Sequence, residues 1–109
     1  MLIERAYMKK WMLIFSLIYS TTSMAKVEEF ITPRVEGLRM DACLYWAKDC
    51  EGVAATKWCS INGYEKAIYW DMDIGIGRKE PTKMLIDKKI CSTEGCSAFS
   101  TIVCYSKYP

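Results

Sequence analysis

Apolar residues change their spacing along this chain, and each change marks an element. Trp11 to Tyr19 is an unbroken apolar run (WMLIFSLIY) between Met8-Lys9-Lys10 and Ser20 to Ala25. Residues 26–38 are mostly polar, with Pro33 and Gly37, and read as an N-terminal arm holding a short strand at Phe30-Ile31. Arg39 to Trp46 is apolar enough for a helical turn or a strand; Met40, Cys43, Leu44 and Ala47 recur every three to four positions, which favours a short helix. Val53 to Ile61 repeats that spacing, with Ala54, Ala55, Trp58, Cys59 and Ile61 on the apolar face. Asn62-Gly63 stops this second helix, because glycine adopts the left-handed cap without strain.

From Tyr64 the period becomes two. Ile68, Trp70, Met72 and Ile74 are expected on a buried strand face, with Ala67, Tyr69, Asp71 and Asp73 on the other. Gly75-Ile76-Gly77 with Arg78 to Pro81 makes a turn. Thr82 to Ile86 reads as the next strand, and Ile90-Cys91 extends the pairing. Ser92 to Gly95 is a tight loop, and the β-branched stretch Phe99 to Tyr105 is the last strand. The expected fold is α+β: a small disulfide-stapled domain with one or two short helices on a three- to four-stranded antiparallel sheet.

The N-terminal run has the parts of an export signal in their working order. A basic start precedes a short apolar stretch, and Ser23 and Ala25 stand at the −3 and −1 positions of a cleavage site. Residues 1–25 therefore read as a cleaved leader, 26–38 as the arm and 39–109 as the disulfide-rich domain. The apolar run is shorter than the ~20 residues a membrane-spanning helix needs. No second such run follows, so no membrane insertion is expected after cleavage, and the expected location is periplasmic or secreted.

Removing the leader changes the charge. The whole chain has 15 basic and 13 acidic residues; Arg5, Lys9, Lys10 and Glu4 lie in the leader, leaving twelve of each sign. A neutral domain gives no electrostatic basis for binding nucleic acid or acidic lipid. A domain this small gains little from its core over the entropy of ordering, about 1–2 kcal/mol per residue, so extra constraint is expected.

Cys43, Cys50, Cys59, Cys91, Cys96 and Cys104 supply it. An even count in a small exported domain reads as three disulfides, each contributing about 2–4 kcal/mol. Six cysteines allow fifteen pairings. A Cys43–Cys104 bridge is the mild preference, since it would close the longest loop and join the two ends. Zinc and thiol-redox sites are disfavoured, because the chain has no histidine and no Cys-x-x-Cys pair.

The series Asp41-Ala-Cys43-Leu-Tyr-Trp46, Cys50-Glu-Gly52, Ala54-Ala55, Trp58-Cys59, Gly63-Tyr64 and Ala67 resembles small exported six-cysteine proteins of bacteria and plants. Pro81-Thr82, Ile90-Cys91, Cys96, Phe99 and Ile102-Val-Cys104 continue the resemblance. It covers the chain from about Arg39 to Cys104. It implies the fold and export, and it implies no activity.

Without histidine the common neutral-pH base is missing, and no catalytic residue is assigned. Asp71 and Asp73 would be neighbours on one strand face. They leave open a carboxylate hydrolase or small toxin. With Asp49 or Glu51 they also offer oxygens to calcium, but no Asp-x-Asp-x-Asp-Gly loop is present, so no metal or cofactor is assigned. Aromatics carry the stronger functional signal. Trp46, Trp58, Trp70, Tyr45, Tyr64, Tyr69, Tyr105 and Tyr108 are many for so small a domain, and exposed rings suit sugar faces or protein hot spots. Tyr69, Asp71 and Asp73 are the candidate ligand-binding set. The expected function is a non-enzymatic binding module for a protein or glycan, with an enzyme inhibitor using loop 92–95 as one form of it. A structural envelope component is a further alternative.

Overall fold

A computed structural model describes residues 24–108. Apart from Met24 and Ala25, the expected leader lies outside the described residues. The chain runs through β1 (Lys26–Ile31), β2 (Arg34–Val35), β3 (Leu38–Met40), β4 (Cys43–Tyr45), β5 (Lys48–Cys50), α1 (Gly52–Ile61), β6 (Lys66–Asp73), β7 (Thr82–Lys83), β8 (Ile90–Cys91) and β9 (Ala98–Ser106). The result is a small disulfide-stapled α+β domain, with one helix packed on antiparallel strands.

Three sheets form. The largest has the order β1-β9-β6 and is antiparallel throughout. A second has the order β2-β3-β7-β8, in which β3 and β7 run parallel. The hairpin β4–β5 forms the third. The core lies where α1 meets the large sheet: Ala54, Ala55, Cys59, Phe99, Ile102 and Cys104 are fully buried there. Phe30, Trp58, Trp70 and Met72 pack around it, half-buried.

The helix over 52–61 follows its apolar spacing and ends as expected. Gly63 has φ +88°, and Tyr64 N–H and Gly63 N–H donate to Cys59 O (2.9 Å) and Ser60 O (3.1 Å). These paired bonds satisfy two carbonyls that a helix end would leave open. Ile61, expected on the apolar face, is exposed.

Four expectations about the elements need correction. There is no helix over 39–46; β3 and the β4–β5 hairpin occupy that stretch, because Cys43 pairs with Cys50 and Tyr45 with Lys48. Residues 26–31 form a full strand along β9, not a polar arm with strand only at its end. The strand expected over 82–86 stops at Lys83. The period-two faces of residues 67–74 do not persist either. Register shifts fall between Ala67 and Tyr69 and between Asp71 and Met72. Such irregularities unpair a residue and change which side its neighbours take. Ala67, Trp70 and Met72 therefore face the core, while Ile68 and Ile74 are exposed.

All six cysteines are bridged, as Cys43–Cys50, Cys59–Cys104 and Cys91–Cys96. The preferred Cys43–Cys104 bridge is not formed. Cys104 faces α1 from β9 and meets Cys59, while Cys43 stands opposite Cys50 in the hairpin.

Candidate functional site

The hairpin places an aromatic side chain outside the core. Cys43 and Cys50 clamp it at its base, and its tip carries Trp46 and Ala47. Trp46 is 53% exposed. Trp46 N–H donates to Asp87 Oδ2 at 3.1 Å, and Ile86 and Asp87 N–H donate to Leu44 O at 3.2 and 3.4 Å. The backbone that carries the indole is thereby tied to the segment after β7.

Beside Trp46 lies a cleft of about 310 Å³. Its apolar lining comes from Trp46, Ala42, Ala47, Met84 and sulfur-bearing Cys43, Cys91 and Cys96. Its polar lining comes from Asp41, Thr93, Gly95 and Ser97. The volume falls at the low end of the ~300–1,000 Å³ range of small-molecule sites. Residues of two short disulfide loops thus line one opening.

Backbone and side-chain bonds hold these walls. Asp41 is 4% exposed; its Oδ1 accepts from Thr82 Oγ1 at 2.5 Å and its Oδ2 from Cys43 N–H at 2.9 Å. A buried carboxylate is costly unless hydrogen-bonded, and these two donors meet that need. Ala42 N–H donates to Ser97 O at 2.9 Å, joining the hairpin entry to the residue after Cys96. Ser97 Oγ accepts from Gly75 N–H at 3.1 Å. Gly77 presses on the same loop: a Cβ there would stand 2.4 Å from Thr93 O and 2.5 Å from Cys96 Cβ, so only glycine fits.

The predicted set of Tyr69, Asp71 and Asp73 lies elsewhere and divides. Tyr69 shares a row of the large sheet with Val103 and Glu29, and Asp71 shares the next with Thr101 and Ile31. Tyr69, Val27 and Ile31 are 55%, 57% and 64% exposed, so part of this sheet face is open. Asp71 is exposed and accepts its neighbour Met72 N–H. Asp73 instead binds Arg39, Oδ2 to Nη2 at 2.6 Å. Arg39 is 5% exposed and also reaches Glu80 Oε1 at 3.5 Å and Phe99 O at 3.2 Å. Tyr69 and Asp71 therefore sit together on an open surface, while Asp73 holds a buried guanidinium.

Asp41, Met84 and Ser97 carry no sequence signal for a site, because turns far apart in the chain bring them together. Trp46 was legible only as an aromatic. The seven-residue spacing of Cys43 and Cys50 around it was the available hint of a hairpin. Among the described residues, no three His, Cys, Asp or Glu side chains cluster closely enough to hold a metal ion. No family model, curated protein or solved structure matches the chain.

Proposed function

We propose that this protein is an exported, non-enzymatic binding module that recognises a glycan or a protein segment through the cleft beside Trp46. The single observation that carries this reading is an exposed indole forming the wall of a cleft whose backbone is fixed by two disulfides. A ligand entering it finds little left to order, and preorganisation of that kind favours affinity. Export is supported by the leader pattern and by three disulfides of the kind that persist in oxidising compartments.

The hydrolase alternative gains nothing from the geometry. The cleft offers one carboxylate, Asp41, with both oxygens engaged. A protein partner has one observation in its favour: loop 92–95 is exposed and closed by Cys91–Cys96 at the cleft rim, as a presented inhibitor loop would be. The test is binding of the oxidised protein to immobilised glycans and to a peptide display, in parallel with Trp46→Ala. Binding that falls about tenfold or more in the variant supports the cleft, since a central aromatic anchor typically carries that much affinity. A ligand bound equally well by both proteins would overturn it.

A further inference from the structure

We infer, resting on the cleft reading above, that the ligand class is a neutral carbohydrate, one pyranose ring of which stacks on Trp46. The lining decides among chemistries. It holds no lysine and no arginine, and its one ionisable group is the carboxylate of Asp41. A phosphate, sulfate or uronic acid would meet negative charge with no counter-charge. A wholly apolar ligand would cover the Ser97 hydroxyl and leave its hydrogen unpaired, and buried unpaired polar groups are costly. A sugar ring has a C–H face for the indole and a rim of hydroxyls that both donate and accept.

The Ser97 hydroxyl in the lining can serve that rim. Ser97 Oγ accepts one N–H and retains its own hydrogen and a lone pair. Asp41, buried with both oxygens engaged, holds the wall rather than the ligand. The cleft volume of about 310 Å³ suits one or two sugar units, not an extended chain. An organic cation is the strongest competitor, since an indole beside a carboxylate also suits an ammonium group. It is disfavoured because Asp41 is 4% exposed and both of its oxygens are already committed to Thr82 and Cys43.

The deciding experiment presents the oxidised full chain with immobilised neutral, acidic and amino oligosaccharides, oligolysine, and a quaternary-ammonium surface. Wild type, Trp46→Phe and Trp46→Ala are compared. Retention on neutral glycans, kept within about threefold by Trp46→Phe and weakened about tenfold or more by Trp46→Ala, is the expected result. Should Trp46→Ala fail to fold, shielding of wild-type tryptophan from acrylamide quenching by the neutral sugar stands in for it. Trp46-dependent retention on oligolysine or the quaternary ammonium, without neutral glycans, would overturn the carbohydrate assignment and leave the cleft reading standing. Retention confined to acidic glycans would do the same. Neutral-glycan binding indifferent to Trp46→Ala would overturn both, whereas retention of no probe would overturn the carbohydrate assignment alone.

Discussion

At the scale of single residues, the two aspartates that looked equivalent in sequence differ in what removing their charge would do. Asp71 is exposed and touches only its own neighbour's N–H, whereas Asp73 is the nearest counter-charge to the buried Arg39. Asp73→Asn leaves the guanidinium with Glu80 at 3.5 Å and a carbonyl at 3.2 Å. Hydrogen bonds to charged groups contribute about 1.5–3 kcal/mol, but Asp73 is half-exposed and solvent screens part of that; a loss of roughly 1–2 kcal/mol is expected. Asp71→Asn should stay within about 0.5 kcal/mol, as surface substitutions do. Urea denaturation checks the pair, and equal losses would refute a structural role peculiar to Asp73. The sequence could place both on one strand. It could not show Arg39, from another strand, arriving beside only one of them.

At the scale of elements, the three disulfides have different work. Cys59–Cys104 joins α1 to β9 across a sequence separation of 45, and both cysteines are fully buried. Cys43–Cys50 spans 7 positions and is half-exposed. Chain-entropy reasoning assigns about 4 kcal/mol to the long loop and about 2 kcal/mol to the short one. Mild reduction with thiol trapping should therefore label Cys43 and Cys50 first, with the fold retained and the Trp46 site loosened. Replacing Cys59 and Cys104 by alanine should lower the unfolding midpoint more than replacing Cys43 and Cys50. Mass mapping and thermal melts check the order, and the reverse order would count against it. Helix α1 and strand β9 were legible because each pattern agrees with its packing: Ala54, Ala55 and Cys59 face Ile102 and Cys104. The hairpin was not. Met40, Cys43, Leu44 and Ala47 fit helical spacing, but the cross-strand pairing of Cys43 with Cys50 overrides it. The cleft was hidden for the same reason, since its tryptophan rides on that hairpin.

At the scale of the whole molecule, the first strand joins the last, and no local pattern announces this. β1 pairs with β9 from Lys26↔Ser106 to Ile31↔Thr101. On its inner side, Phe30 meets Trp58 and Tyr64 edge-on at 5.6 and 6.1 Å, and Lys26 Nζ lies 4.3 Å from the Tyr64 ring centre. Tyr64 O–H donates to Glu28, tying β1 to the segment that leaves α1. That bond to a carboxylate is the main cause that raises the Tyr64 pKa, with burial and the Glu28 charge adding to it. The direction sets the pH dependence. A phenol whose pKa is raised in the folded state adds stability that is fully present below its unfolded value, near 10.0, and is lost as pH rises through the higher folded value. Lysines also titrate in that range, so the informative quantity is the difference between wild type and Tyr64→Phe. The urea midpoint of wild type should exceed that of the variant at pH 7 to 9, and the gap should close above about pH 10. A gap constant from pH 7 to 11 would show that the phenol proton plays no part in holding β1 to the fold.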